Sequence, residues 1–165
     1  HSSPGSTQPT GRQPMNTDTA SVAIERNAEA VFKFMSDPNK MDLWSFGSWR
    51  ISVDGDGLVH GRSIFDGSAA CVRIEPDAQN RLIDYWVGTN SENLAPRIFV
   101  RITPSEVIGS STLNCILSMV SFRTETMSDD RWHRLVTAHA FEVQLIKSLL
   151  ENDFDHRKMP SSGAT

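Results

Sequence analysis

DDRWHRLVTAHAFEVQLIKSLLEN, residues 129–152, is the stretch of sequence that decides the fold. It contains neither Pro nor Gly, and its apolar residues recur at the spacing of an α-helix. A helix of roughly 24 residues spans on the order of 36 Å, which is enough to cross a small sheet. We therefore expect the rest of the chain to provide a wide apolar surface for one stripe of this helix, which holds Trp132, Val136, His139, Val143, Ile146 and Leu150.

Length and charge limit the classes of protein that the sequence fits. A chain of 165 residues is most simply one domain with a real core. Its net charge of −4 gives no basic surface for nucleic acid or an anionic membrane, and no apolar run has the length of a membrane span. Cys71 and Cys115 lie in strand-like runs without a CxxC spacing, which indicates two buried free thiols in a cytoplasmic protein.

The two ends of the chain differ in composition from its middle. Residues 1–16 are rich in Ser, Pro, Gly and Gln, and they are interpreted as a tag remnant or disordered leader, with Met15 as a native start. Residues 153–165 close with a similar composition and are expected to form a flexible tail. A single domain over residues 17–152 remains.

The pattern of the middle predicts one strand, two short helices and then six strands. Residues 19–26 alternate as a strand, Asn27 caps a helix over 28–36, and a second helical piece covers 39–44. Short turns then separate the strands, which therefore pair antiparallel, since parallel pairing needs long crossovers. These six strands are expected over 49–53, 58–65, 69–75, 81–87, 97–103 and 111–122.

Three strings in this order resemble the START-like superfamily, also called SRPBCC or the helix-grip fold, which includes polyketide cyclase-like proteins. They are SVAIERNAEAVFKFMSDPNKMDLW (21–44), IEPDAQNRLIDYW (74–86) and HAFEVQLIKSLLE (139–151). The resemblance covers about residues 19–152. It implies an α+β fold in which a curved, seven-stranded antiparallel sheet grips the long C-terminal helix, with a ligand cavity between them.

Polar residues on faces that should be buried are the candidates for function. His139 lies within the apolar stripe, where it is either a hydrogen-bonded core residue or a group that contacts a ligand or transfers a proton. Asp84 shares one face of its strand with Leu82 and Trp86. It either points into the cavity, where it needs a partner, or lies on the solvent face if Ile83 and Tyr85 point inward.

Aromatic residues cluster where the second short helix leads into the sheet, at Trp44, Phe46 and Trp49. By the resemblance, this place lies near the mouth of the cavity, and its aromatic side chains either close the core or form a shelf for the ligand. The predicted ligand-binding residues are therefore Trp44, Trp49, Asp84, Trp86, Trp132, His139 and Val143.

The sequence contains no established catalytic motif, no phosphate loop and no His/Cys cluster with metal spacing, and we expect neither a metal nor a cofactor. Three functions stay open. The first is binding of a hydrophobic or aromatic small molecule, such as a lipid, quinone or polyketide. The second is a cyclase or dehydratase reaction with Asp84 and His139 as acid and base. The third is a protein-interaction module that uses its surface.

A surface for self-association is also predicted on the long helix. Phe141, Leu145 and Leu149 fall off the inner stripe, so they would be exposed in a monomer. Either they form a homodimer interface, or flanking loops and the tail near Phe154 cover them.

Overall fold

The computed structural model describes residues 16–160, so most of the expected leader and the end of the expected tail lie outside the described residues. The elements follow the predicted order, with one extra short helix. The helices are α1 (Ala28–Ser36), α2 (Met41–Trp44), α3 (Ser105–Ile108) and α4 (Asp129–Glu151). The strands are β1 (Thr17–Ile24), β2 (Trp49–Val53), β3 (Val59–Arg62), β4 (Ala69–Asp77), β5 (Leu82–Gly88), β6 (Ala95–Pro104) and β7 (Cys115–Phe122).

The sheet has seven strands in the order β1-β7-β6-β5-β4-β3-β2, and every neighbouring pair is antiparallel. Strands β2 to β7 form the predicted meander; short turns connect β2 to β6, and the longer segment that contains α3 connects β6 to β7. β1 returns to the free edge of β7, where Thr17 lies opposite Phe122 and Ile24 opposite Cys115. The α+β helix-grip arrangement predicted from the sequence is confirmed.

Caps and tethers fix the position of α4. The Ser128 hydroxyl accepts a hydrogen bond from the Arg131 amide at 3.2 Å, which satisfies one free N–H of the first turn. At the other end, the Lys147 ammonium donates to the Ala23 carbonyl at 2.9 Å, and the Glu151 carboxylate accepts from the Glu25 amide at 2.9 Å. The C-terminal half of α4 is therefore tied to the end of β1.

The buried stripe of α4 is rotated slightly from the predicted one. Its buried residues are Ala138, His139, Glu142, Val143, Ile146 and Leu149. Leu149 was predicted to fall off the inner stripe, which is wrong, because this side chain is 3% exposed and belongs to the core. Leu145 is partly buried and packs against the same core. Phe141 alone of the three stays exposed, and its ring stacks on Phe46 with centroids 5.5 Å apart.

Several element boundaries differ from the predicted ones. β4 continues through Pro76, which pairs opposite Ile83, although Pro76 was expected to end the strand. β7 begins at Cys115 rather than at 111, because the preceding segment forms α3 and the turn after it. Cys71 and Cys115 are buried free thiols, as predicted.

The described part of the expected tail contacts the domain. A 3₁₀ turn over His156–Lys158 places the Arg157 guanidinium 2.9 Å from the Asp42 carboxylate and 2.8 Å from the Asn39 carbonyl. These bonds hold residues 156–158 against the start of α2, while the boundary at Asn152 stays a prediction. Within residues 16–160, no helix is both long and apolar enough to cross a membrane.

Candidate functional site

A cavity of about 550 Å³ lies between α4 and the sheet. A straight helix cannot touch a curved sheet along its whole length, so a gap remains where the two diverge. Side chains from α2, β4, β5, β6, β7 and α4 line this gap, and the volume is within the range of small-molecule sites. Its apolar lining includes Met41, Val72, Tyr85, Ile98, Met119 and Leu135.

The buried serines Ser45 and Ser48 line the cavity, as do a buried indole, imidazole and carboxyl group. The last three belong to Trp44, His139 and Glu142, which we call the inner polar cluster. They are 4%, 7% and 3% exposed, respectively. α2 supplies Trp44, and adjacent turns of α4 supply the other two, since residues three apart share a helix face. The cluster is therefore held by two helices that pack against each other.

The hydrogen-bonding capacity of the inner polar cluster is only partly used. One carboxyl oxygen of Glu142 accepts from the Phe46 amide at 3.0 Å. The indole Nε1 of Trp44 and the Nδ1 of His139 are buried and have no partner among the described residues. A buried polar group without a partner costs about 1–3 kcal/mol, so such groups in folded proteins usually have a role.

Burial keeps both ionisable members of the cluster neutral. It raises the pKa of Glu142 to about 8 and lowers the pKa of His139 to about 4. Their closest atoms, His139 Nε2 and Glu142 Oε2, are 3.9 Å apart, which is within ion-pair reach but too long for a hydrogen bond. Because both pKa shifts favour the uncharged forms, we assign a neutral carboxylic acid next to a neutral imidazole at pH 7.

Tyr85 completes the wall beside Trp44. Its ring meets the Trp44 ring edge-on, with centroids 6.0 Å apart and an interplanar angle of 77°. Its hydroxyl donates to the backbone carbonyl of Met35, so this group is already satisfied. Tyr85 thus offers a ligand an apolar surface rather than a hydrogen bond.

Three arginines also line the cavity: Arg97 from β6 and Arg131 and Arg134 from α4, which we call the outer arginines. Arg97 is half-buried, and burial together with the nearby Arg131 lowers its pKa. The Arg134 guanidinium lies 5.6 Å from the centre of the Phe65 ring. Asp66 is the single acidic residue beside these arginines in the lining.

The structure brings two of the predicted site residues to the cavity, Trp44 and His139. Trp49 is 41% exposed, with the Arg50 guanidinium 4.4 Å from its ring centre. Trp132 is half-buried and Val143 is buried in the core, and neither lines the cavity.

Asp84 and Trp86 lie on the outer face of β5. Ile83 and Tyr85 are 0% and 1% exposed, so the alternation of the strand turns their neighbours away from the core. The Trp86 indole donates to the Glu75 carboxylate at 2.9 Å. Of the two orientations left open for Asp84, the structure has the outward one, and Asp84 is not the partner of His139.

Glu142 and Arg97 line the cavity, although the sequence did not point to either of them. Glu142 follows His139 by three residues, a spacing that places both side chains on one face of the helix. Among residues 16–160, no three His, Cys, Asp or Glu side chains come together as metal ligands. The position of Arg97 depends on a break in strand pairing, which leaves no local signal in the sequence.

No protein-family model matches the sequence, and no curated protein matches it either. Solved structures do match. XoxI from Bacillus cereus is similar with a TM-score of 0.62 and 15% identity, over 86% of this chain and 100% of that one. The Aha1 dimer from Colwellia psychrerythraea is similar with a TM-score of 0.60 and 15% identity, over 83% of this chain and 97% of that one.

A protein from a biosynthetic pathway has the same fold. The di-domain ARO/CYC BexL from the BE-7585A pathway is 14% identical, with a TM-score of 0.60, over 83% of this chain and 47% of that one. Identities this low show the fold alone. With the antiparallel sheet, the gripped helix and these neighbours, the chain has the helix-grip fold.

Proposed function

We propose that the protein binds a hydrophobic or aromatic small molecule, such as a lipid, quinone or polyketide-like compound, in the cavity between α4 and the sheet. The observation that carries this proposal is the pair of buried, unpartnered nitrogens of Trp44 and His139 in the cavity wall. A ligand with a carbonyl or hydroxyl group would satisfy them while its apolar body fills the rest of the cavity.

The chemistry of the inner polar cluster defines the polar end of such a ligand. The Trp44 indole can only donate a hydrogen bond, whereas a neutral His139 donates from one nitrogen and accepts at the other. A protonated Glu142 can donate from one oxygen while its other oxygen keeps the bond from Phe46. The cluster therefore suits a neutral oxygen group that accepts and donates, such as a phenol, an enol or a hydroxyketone.

A cavity-filling variant with a matched control tests the proposal. Ala138 lines the cavity, whereas Ala140 on the same helix is exposed and does not. In a fluorescence titration with the neutral dye N-phenyl-1-naphthylamine, we expect one binding site in the wild type and in Ala140→Phe. Ala138→Phe should lose it, provided its thermal melt still shows a folded protein. Equal binding by both variants, or no binding by the wild type, contradicts the proposal.

A second candidate function is acid–base catalysis, as in a cyclase or dehydratase. It is favoured by the 3.9 Å approach of a neutral imidazole and a carboxylic acid inside a cavity. With Asp84 on the outer face, Glu142 replaces Asp84 as the acidic partner of His139. In the dehydration of a β-hydroxyketone, His139 would take the α-proton, and Glu142 would protonate the departing hydroxyl, which leaves as water.

The enzymatic alternative has a direct test. 4-Hydroxy-4-phenylbutan-2-one is a small aromatic β-hydroxyketone, and its dehydration gives a conjugated enone that absorbs in the ultraviolet. Turnover by the wild type that is lost in Glu142→Gln and kept in Asp84→Asn would support catalysis. Turnover unaffected by Glu142→Gln, or none at all, would leave binding as the function. No observation favours the third possibility, a protein-interaction module, over these two.

A further inference from the structure

Arg97 is placed at the cavity without a counterion. It is half-buried, and neither a hydrogen bond nor an ion pair joins its guanidinium to any residue among 16–160. Arg131, a second cation, repels the positive charge of Arg97 and makes that charge less favourable in the free protein. A guanidinium that loses water without gaining an acceptor is costly, so an anion is expected to compensate it.

A β-bulge explains how Arg97 reaches the cavity. Tyr85 pairs with Ile98 and Val87 pairs with Ala95, so a step of two residues on β5 faces a step of three on β6. The extra residue interrupts the alternation just beside Arg97, and both Arg97 and Ile98 line the cavity. Bulges of this kind often re-aim a side chain next to a functional site.

The charges that line the cavity are unbalanced. Arg97, Arg131 and Arg134 carry three positive charges against one negative charge from Asp66, so the balance is 3 − 1 = +2 with the neutral inner cluster excluded. The whole chain has the opposite sign, with a net charge of −4. The lining of the cavity is therefore positive in a chain that is negative as a whole, which favours an anionic ligand there.

The α4 stripe arranges these charges relative to the inner polar cluster. Arg131, Leu135, Ala138 and Glu142 follow one another at spacings of four, three and four residues, and all line the cavity. The eleven residues from Arg131 to Glu142 span about 16 Å of helix. A cationic region, an apolar middle and a neutral hydrogen-bonding group thus follow one another along a single helix face.

We infer that the ligand is an apolar molecule with one oxyanion group, such as a carboxylate, which pairs with Arg97 and Arg131 while its opposite end reaches the inner polar cluster. This inference rests on the proposed function and names the class of its ligand. A guanidinium presents paired donors that match the two oxygens of a carboxylate. Arg97 and Arg131 repel each other in the free protein. A bound anion attracts both of them and so offsets this repulsion.

Two dyes with the same apolar body test this inference. N-Phenyl-1-naphthylamine is neutral, and 8-anilinonaphthalene-1-sulfonate adds one oxyanion to it. We expect Arg97→Gln and Arg131→Gln to weaken the anionic dye about tenfold or more, as for a lost charge-assisted hydrogen bond, and to leave the neutral dye unchanged. Arg101→Gln is the matched control, because Arg101 is exposed on the same strand and does not line the cavity.

The outcomes separate this inference from the function on which it rests. Failure of the wild type to bind the neutral dye would overturn the proposed function. Binding of the neutral dye, with an equal effect of Arg97→Gln and Arg101→Gln on the anionic dye, would overturn only the inference. Arg131 is exposed, so Arg131→Gln should not disturb folding. If Arg97→Gln does not fold, the affinity of Arg131→Gln for the anionic dye tests the inference instead.

Discussion

Replacing Glu142 by Gln should remove a pH dependence of stability between pH 6.5 and 8. Burial raises the pKa of Glu142 from 4.5 to about 8, so the folded protein keeps a proton that the unfolded chain loses. Stability from this group is complete below pH 4.5 and is lost as the pH rises through 8. His139 acts in the opposite direction, because its lowered pKa costs stability only as the pH falls below 6.5 towards 4.

The two effects cancel between pH 4.5 and 6.5, and only that of Glu142 remains between pH 6.5 and 8. With about 1.36 kcal/mol per pH unit, the 1.5 units from 6.5 to 8 give a loss of about 2 kcal/mol in the free energy of unfolding. Gln has the same shape, can keep the bond from the Phe46 amide and does not titrate. We therefore expect the free energy of unfolding of the wild type to fall by about 2 kcal/mol from pH 6.5 to 8, and that of Glu142→Gln to lack this fall.

Urea denaturation at several pH values between 6.5 and 8 measures these slopes. Glu151→Gln is the control on the same helix, because hydrogen bonds from the Glu25 amide and Lys147 lower the pKa of Glu151 and keep its titration below the window. It should shift the whole curve without changing the slope. Parallel curves for the wild type and Glu142→Gln would refute the assignment of a neutral, buried acid.

Three other substitutions give simpler readings. Trp44→Phe removes a buried donor that has no partner and also part of a core ring, so it should cost no more than about 2 kcal/mol of unfolding free energy while weakening binding of a hydroxyl- or carbonyl-bearing ligand. A loss of stability above about 3 kcal/mol would indicate a hidden partner for the indole. Asp84→Asn on the outer face should change unfolding free energy and dye affinity by no more than about 0.5 kcal/mol, and a clear loss of affinity would place Asp84 at the site. Phe141→Glu tests the homodimer predicted for α4. Because Leu149 is buried, a dimer through this face depends on Phe141, so sedimentation should show a shift from dimer to monomer in the variant. A wild type that is already monomeric would remove the proposal.

The fold could be predicted because its signals are repeated along the chain. Several independent signals favour this fold: the α4 stripe, the cap at Asn27 and the short turns. Errors of a few residues at the ends of strands do not change the predicted order of elements. α3 was missed because four residues carry too little periodicity to be distinguished from a turn.

The site was only partly predictable, for identifiable physical reasons. His139 was found because a polar residue inside an apolar stripe is visible in the sequence. Glu142 was missed because an acidic residue on a helix is normally solvated, and its burial and its hydrogen bond from the Phe46 amide arise only in the folded chain. Arg97 was missed because a bulge changes its direction, and Asp84 remained open because alternation alone does not tell which face of a strand is inside.

Native mass spectrometry of the protein purified gently from cells tests the central claim most directly. We predict a bound small molecule that is released on collisional activation, is kept by Ala140→Phe and is absent from a folded Ala138→Phe variant. Because Ala138 lines the cavity and Ala140 is exposed, this difference would assign the ligand to the cavity. The same adduct on both variants, or an unliganded wild type that also fails to bind either dye, would contradict a ligand-binding cavity between α4 and the sheet.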